Sequence, residues 1–270
     1  MTGSDEGQAS GQQRHPVHFI GAGPGDPELI TVKGRRLLDE ADLIIFTGSL
    51  VPKEILAGCR GEIVDSASLN LEEIFALIEA AWRRGAKVAR LHTGDPAIYG
   101  AIGEQIALCR AHGIPFAVIP GVSSALAVAA RLGVELTAPE RSQTVIFTRR
   151  GGRTPVPDRE RLSSLAAHHA SMMIFLSVAM IDDVVAELLA GGYEPDTPVA
   201  VIEKVSWPEE QQARGTLATI AAQVKAAAID KTALIAVGDV LAEEPMSAKS
   251  RLYDAGFSHE FRQAISESAR

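Results

Sequence analysis

The sequence predicts an α/β protein made of two α/β domains. Short apolar runs alternate with segments of helical periodicity, three of these runs end in loops rich in Gly and Pro, and the alternation pauses around residues 136–143 before it restarts. Unbroken apolar runs are typical of strands covered by helices on both faces of a sheet. We therefore expect domains at residues 15–138 and 142–245, between a disordered tail at 1–14 and a second tail at 246–270.

The first Gly/Pro loop is Gly-Ala-Gly-Pro-Gly-Asp-Pro at residues 21–27, directly after an apolar strand at 17–20. Glycine permits positive φ and close backbone approach, while proline stiffens a loop and removes an N–H donor. The dinucleotide fingerprint G-x-G-x-x-G would need a third glycine where Asp26 stands, so this loop does not match it. Two interpretations stay open, a rigid wall beside a ligand site and an ordinary tight turn between a strand and a helix.

The second and third Gly/Pro loops lie at residues 92–100 and 120–125, each after an apolar strand. Ligands of open α/β sheets bind beyond the carboxyl ends of the strands, so the three loops should converge on one pocket. Asp95 fits either a helix N-cap or a group facing that pocket. Tyr99 fits either a core aromatic residue or a residue that lines the pocket, and we assign it to the pocket.

The other elements follow from periodicity and from their end signals. Asn70 and Glu73 form the pattern of a capping box, which opens a helix that ends at residues 83–85. Strands are predicted at 17–20, 43–46, 87–91, 116–119, 144–148, 172–176, 198–203 and 233–237. Helices are predicted at 31–40, 102–111, 159–168, 181–190 and 217–228, together with an alanine-rich helix that ends at Leu132.

Composition limits the classes of partner. The 270 residues include 26 Lys and Arg against 34 Asp and Glu, a net charge of −8, so the whole protein repels nucleic acid and anionic membranes. No apolar run reaches the ~18 residues of a membrane span, and the first fifteen residues lack the apolar core of a secretory signal. We expect a cytoplasmic protein. Cys59 and Cys109 are not spaced as a C-x-x-C motif, and His168-His169 has no carboxylate or cysteine at ligand spacing, so no metal is expected.

Taken together, the three loops resemble the motifs of the tetrapyrrole methyltransferase family. Within that family, residues 148–157 and the Ser-Trp-Pro-Glu-Glu of 206–210 resemble the precorrin-4 C11-methyltransferases of cobalamin synthesis. The resemblance covers roughly residues 16–240. It implies an S-adenosylmethionine-dependent homodimeric enzyme that converts precorrin-4 to precorrin-5, with two α/β domains and the cofactor in the cleft between them.

Carried over position by position, the resemblance implies the following contacts. The cofactor contacts residues of all three loops and of the second domain, namely Pro24, Gly94, Asp95, Ile98, Ser124, Ala125, Ser177, Val205 and Ala233. We place Tyr99 of the second loop with these cofactor-binding residues. The anionic tetrapyrrole meets the first loop and a basic loop after the strand at 144–148: Gly23, Pro24, Arg149, Arg150 and Arg153. The arginines fit either the substrate carboxylates or a solvated basic loop. No residue is singled out as a general acid or base.

Alternative functions differ in what they require of the sequence. Cobalt-loaded precorrin-4 or another ring position would need the same loops. Methylation of ribosomal RNA or of a modified translation-factor histidine fits poorly with the charge of −8. A nicotinamide-dependent oxidoreductase needs the third glycine and an acidic residue after the second strand, where Thr47-Gly48 stands. A non-catalytic module would bind tetrapyrrole without consuming cofactor.

Overall fold

The computed structural model describes residues 14–242 and 256–263. Most of the two predicted tails therefore lies outside the described residues. The chain divides into two compact units between Ser124 and Ala125. The sequence placed this division at 138–142. The buried side of the helix Ser124–Leu132 belongs to an apolar core of the second unit, which explains the earlier position of the division.

The first unit is a five-stranded sheet in the order β3-β2-β4-β1-β5, and every strand pair in it is parallel. Apolar side chains from both faces of its central strands are buried, as the unbroken apolar runs predicted. Its strands are β1 (Val17–Gly21), β2 (Leu43–Phe46), β3 (Glu62–Asp65), β4 (Val88–His92) and β5 (Phe116–Ile119). Its helices are α1 (Val32–Asp39), α2 (Leu71–Arg83) and α3 (Ile102–Ala111).

Helix α2 begins as the sequence predicts. The Asn70 side chain accepts a hydrogen bond from the Glu73 N–H at 2.9 Å, and the Glu73 carboxylate accepts one from the Asn70 N–H at 2.8 Å. Both halves of the capping box are therefore present. The helix then buries Ile74, Phe75 and Ile78 against the sheet.

The second unit contains a mixed five-stranded sheet in the order β6-β7-β10-β8-β9. Only the β6–β7 pair is parallel, and the other pairs are antiparallel. The strands are β6 (Val145–Arg149), β7 (Ser171–Phe175), β8 (Pro198–Glu203), β9 (Gln211–Thr216) and β10 (Ala233–Val237). The helices are α4 (Ser124–Leu132), α5 (Leu162–Ala166), α6 (Ile181–Ala190) and α7 (Ile220–Ala226).

Two strands, β3 and β9, were absent from the sequence prediction. Both are edge strands, β3 of the first sheet and β9 of the second. An edge strand has one neighbour and buries few side chains, so its sequence carries little apolar signal. Ala213 is the only residue of β9 that is buried, and β3 has none.

Within the described part of the chain, no helix is long and apolar enough to cross a bilayer.

Candidate functional site

The three Gly/Pro loops follow β1, β4 and β5, which are neighbours in the order β4-β1-β5. Since these strands are parallel, their loops leave the sheet at one edge. The first and second loops are joined by a pair of backbone hydrogen bonds between Gly23 and Gly94, with N···O distances of 3.2 and 2.8 Å. The first and second loops are therefore directly connected at this edge of the sheet, while the ligand pocket expected there stays a prediction.

Close backbone contact at three glycines holds this loop cluster together. A Cβ added to Gly121 would lie 2.1 Å from the carbonyl oxygen of Gly94 and 2.8 Å from the Cα of Gly21. A Cβ added to Gly21 would lie 2.6 Å from the Cα of Gly121. Gly94 has φ of +60°, the left-handed conformation that glycine adopts without strain. The contact thus depends on glycine at all three positions.

Asp95 ties the second loop to the third. One carboxylate oxygen accepts the N–H of Ala97 at 2.8 Å, and the other accepts the N–H of Gly121 at 2.9 Å. Asp95 does not cap an α-helix, because α3 begins only at Ile102. Each oxygen of this half-buried carboxylate has a lone pair left for a further donor. Asp95 is therefore both a structural link and an acceptor at the loop cluster.

The second loop ends in a strained turn. Tyr99 and Ala101 have φ of 54° and 48°, a left-handed conformation that costs about 1–2 kcal/mol for a residue with a Cβ. A Cβ on the intervening Gly100 would lie 2.3 Å from the carbonyl oxygen of Pro96. Tyr99 is 46% exposed, so the interpretation of this residue as a core aromatic is wrong.

Beneath the turn, β4 carries two buried polar side chains to which the sequence analysis gave no role. Arg90 donates to the side-chain oxygen of Gln105 and to the carbonyl of Ile45. Burial lowers the pKa of Arg90 to about 10, so the group stays charged at neutral pH. Arg90 and His92 alternate with Ala89 and Leu91 along β4, so they lie on the same face of the strand. This alternation of polar and apolar residues is the sequence signal that could have identified them.

His92 is 8% exposed, and its Nε2 has no hydrogen-bond partner among the described residues. Burial, with a smaller contribution from the Arg90 charge, lowers the pKa of His92 to about 3, and a hydrogen bond with the backbone of Gly100 opposes this shift. The ring is therefore neutral at pH 7. It joins strand β4 to the turn.

In the second unit, two arginines of the loop after β6 form bonds to other groups of the protein. Arg149 donates to the carbonyls of Thr154 and Pro155, both at 2.9 Å. Arg150 forms ion pairs with Glu187 at 2.7 Å and with Asp183 at 3.3 Å, both on α6. Two of the three arginines predicted to bind substrate thus have intramolecular partners.

Arg153 differs from these two arginines. Its side chain is exposed and forms no hydrogen bond or ion pair with any residue that the structure describes. It is the arginine of the loop whose guanidinium is available to an outside ligand.

The other predicted site residues fall into two groups. Gly23, Pro24 and Gly94 are buried in the first unit, while Ile98 and Ser124 are half-buried. In the second unit Ala125, Ser177 and Val205 are buried and Ala233 is half-buried. The Ser177 hydroxyl donates to the Phe175 carbonyl at 2.6 Å and accepts the Arg150 N–H at 2.9 Å, so it links the ends of β7 and β6. As cofactor contacts, these residues stay predictions.

Among the described residues, no three His, Cys, Asp or Glu side chains are grouped so that they could hold a metal ion.

The sequence and the fold are similar to those of known methyltransferases. Residues 16–221 match the family Tetrapyrrole (Corrin/Porphyrin) Methylases. The chain is 54% identical over 250 residues to the cobalt-precorrin-4 C(11)-methyltransferase of Methanocaldococcus jannaschii, covering 92% of this chain and 96% of that protein. It is 52% identical over 247 residues to the precorrin-4 C(11)-methyltransferase of Pseudomonas aeruginosa, covering 91% and 98%.

Two solved structures have the same fold. The structure of a cobalt precorrin-4 methyltransferase superposes with a TM-score of 0.82 at 42% identity, covering 84% of this chain and 96% of that one. A uroporphyrin-III C-methyltransferase from Thermus thermophilus, in complex with S-adenosylhomocysteine, superposes with a TM-score of 0.72 at 31% identity, covering 84% and 99%. The chain belongs to the tetrapyrrole methylase family. The two-sheet α/β fold expected from the sequence is confirmed.

Gly121→Ala should destabilise the protein by about 1–3 kcal/mol, because the new methyl group would overlap backbone atoms that have no free space. Gly103→Ala is the matched control, since a Cβ there meets no atom within 4 Å and the residue lies in α3. It should raise stability by about 0.5–1 kcal/mol. Urea denaturation measures both changes, and equal stabilities for the two variants would contradict the contact.

The neutral state of buried His92 should make stability fall in acid. Its pKa is about 3 in the folded protein and 6.5 in the unfolded chain, so the unfolded chain binds more protons between these values. The free energy of unfolding that the neutral His92 ring contributes is fully present above pH 6.5 and is lost as the pH falls towards 3. At pH 4.5 the loss should be about 3 kcal/mol.

Denaturation of wild type and His92→Gln at pH 7 and 4.5 tests this, because the variant should lose less stability between the two pH values. His168→Gln removes one exposed histidine and is the control. If the pH dependence of His92→Gln equals that of wild type, His92 does not titrate in this way.

Proposed function

We propose that this protein transfers the methyl group of S-adenosylmethionine to C11 of precorrin-4, giving precorrin-5 and S-adenosylhomocysteine. The observation that carries the proposal is the identity of 54% and 52%, over more than nine-tenths of the chain, to relatives that bear the name of this activity or of its cobalt form. The loop cluster of the first unit supports it, because this is where an open α/β sheet binds its ligand.

The residues of the loop cluster fit S-adenosylmethionine. The ammonium and ribose hydroxyl groups of the cofactor are donors, and both oxygens of Asp95 retain acceptor capacity. Ile98 and Tyr99 offer partly exposed apolar surface in the same loop. Gly94 has φ of +60°, so glycine there gives the loop a conformation that residues with a Cβ rarely adopt and lets its backbone approach a ligand closely. We propose that Gly94, Asp95, Ile98 and Tyr99 hold the cofactor.

When bound, the sulfonium of this cofactor supplies an electrophilic methyl carbon, which becomes bonded to a ring carbon while sulfur keeps the electrons of the broken bond. The protein then has little acid or base chemistry to perform. Its residues act by position: the rigid glycine contact fixes where the Asp95 loop lies, and apolar loop residues exclude water. We assign no general base.

We propose that Arg153 binds a carboxylate of the tetrapyrrole, and that Arg149 and Arg150 shape the loop that carries it. A guanidinium can form a forked, charge-assisted contact with a carboxylate. Arg149 already donates to the backbone carbonyls of Thr154 and Pro155, and Arg150 already pairs with the carboxylates of Asp183 and Glu187 on α6. The sequence predicted that all three arginines bind substrate, whereas we now propose direct substrate binding for Arg153 alone.

We also propose that two copies of the chain form a homodimer. Phe147 is 37% exposed on β6, an edge strand of the second sheet, and Leu176, directly after the adjacent strand β7, is 69% exposed. Apolar side chains at an unpaired sheet edge suit contact with another protein surface. A monomer mass in sedimentation equilibrium would remove this proposal. The cytoplasmic location stays a prediction.

Incubation with methyl-labelled S-adenosylmethionine and precorrin-4 tests the activity. The label should appear at C11 of the product by NMR, and a parallel reaction with cobalt-precorrin-4 compares the two substrate forms. S-adenosylhomocysteine should stabilise the protein by about 2.7 kcal/mol at a hundredfold excess over Kd. NAD should give no stabilisation. Label at another ring carbon, or stabilisation by NAD alone, would contradict the proposed function.

The role of Arg153 can be separated from that of Arg150. Arg153→Ala should raise KM for the tetrapyrrole about tenfold, the loss of one charge-assisted hydrogen bond, with melting temperature unchanged. Arg150→Ala should instead lower the melting temperature, because Asp183 and Glu187 lose the cation between them. Steady-state kinetics and thermal unfolding of both variants give the comparison. A wild-type KM for Arg153→Ala would mean that this arginine is only solvated.

A further inference from the structure

We propose that Arg90 and Gln105 are positioning residues that hold the turn at residues 99–101 in its strained form and thereby set the affinity for the cofactor. The inference deepens the proposed function, since it takes the loop that carries Asp95 as the cofactor site. It concerns side chains buried below that loop, and neither is expected to touch cofactor or substrate.

The evidence is a chain of hydrogen bonds that runs from the sheet to the turn. Arg90 on β4 donates through Nε to the Gln105 side-chain oxygen at 3.2 Å and through Nη1 to the Ile45 carbonyl at 3.3 Å. Gln105 on α3 then donates through Nε2 to the carbonyl of Ala101 at 3.3 Å. Arg90 and Gln105 are each only 5% exposed, so water does not compete for these contacts.

The direction of this chain follows from the donor inventory of the two groups. A guanidinium only donates, so the group facing it must be the oxygen of the Gln105 amide. The amide NH₂ is then directed away from Arg90 and towards the Ala101 carbonyl. Arg90 therefore fixes the orientation of Gln105, and Gln105 fixes the carbonyl of Ala101.

The turn needs such support. Ala101 stands at the start of α3 with φ of 48° and has no side chain that could form a capping hydrogen bond. Tyr99 is left-handed as well, so the turn holds two residues with a Cβ in a conformation that such residues rarely adopt. The hydrogen bond between His92 and the backbone of Gly100 is a second attachment from β4. Backbone strain of this kind persists only where the surrounding structure holds the backbone in place.

The choice of glutamine at position 105 argues for this role. Arg90 is a buried cation that bonds no carboxylate among the described residues, so a glutamate in place of Gln105 would stabilise its charge better than an amide does. Glutamate has no side-chain N–H, however, and could not bond the Ala101 carbonyl. An amide can both accept from Arg90 and donate to the Ala101 carbonyl. This is expected if the role of residue 105 is to hold the turn rather than to neutralise Arg90.

The variant Gln105→Glu separates the two requirements. It keeps an acceptor for Arg90 and adds an ion pair, so the melting temperature should be unchanged or higher. It loses the donor to Ala101, so amide hydrogen exchange of residues 99–103 should accelerate about tenfold, and Kd for S-adenosylhomocysteine should rise about tenfold, the loss of one hydrogen bond. The kcat at saturating cofactor should fall less than about threefold, because the chemistry is unchanged.

Ala107→Glu is the matched control, since it adds the same charge at an exposed position of α3. It should leave both hydrogen exchange and Kd at wild-type values. Arg90→Lys is a second test, because an ammonium keeps the charge but lacks the fork that orients the amide. It should also accelerate exchange at the turn.

Wild-type exchange and wild-type affinity in Gln105→Glu would overturn the inference, and so would an equal effect in Ala107→Glu. If Gln105→Glu does not fold, the same measurements on Arg90→Lys decide the question. If wild type itself binds no S-adenosylhomocysteine, the proposed function fails, while hydrogen exchange at the turn still tests the positioning role separately.

Discussion

The contact among Gly21, Gly94 and Gly121 is the constraint on which the loop cluster depends. A side chain at Gly21 or Gly121 would separate the backbones, because an added Cβ would lie 2.1–2.7 Å from the carbonyl of Gly94. Only at this short separation does the N–H of Gly121 reach the carboxylate of Asp95, at 2.9 Å. The position of the predicted cofactor loop therefore follows from the packing of backbone on backbone rather than from apolar side chains.

The same loop cluster is supported from below at a cost in stability. Arg90 and His92 lose hydration on burial, and each gains few hydrogen bonds in return. A purely apolar β4 would give a more stable sheet, but it would offer no partner to the turn at 99–101. The arrangement is typical of a functional site, where stability is lost locally to hold a strained backbone in one conformation.

Sequence patterns predicted the parts of this protein that depend on local physics. The buried strands, the capping box of α2 and the convergence of the Gly/Pro loops follow from periodicity, cap residues and the parallel topology. The edge strands β3 and β9 were missed because they bury almost nothing. The partners of Arg150 were also not predictable, since Asp183 and Glu187 lie more than thirty residues further on and no local pattern encodes that contact.

The hydrogen bonds of the first Gly/Pro loop bear on the choice between a nicotinamide-dependent oxidoreductase and an S-adenosylmethionine-dependent methyltransferase. A dinucleotide site needs free N–H groups to bind a pyrophosphate at a helix N-terminus. Here the N–H of Ala22 is bonded to the His92 carbonyl at 2.7 Å, and that of Gly23 to the Gly94 carbonyl. The first turn of α1 is capped as well, because Thr31 accepts the N–H of Gly34. These N–H donors are already used within the protein, so they are not available to a pyrophosphate. The Asp95 carboxylate of the same loop cluster can accept further hydrogen bonds. The cluster is therefore better suited to a ligand with cationic and hydroxyl groups, as S-adenosylmethionine has.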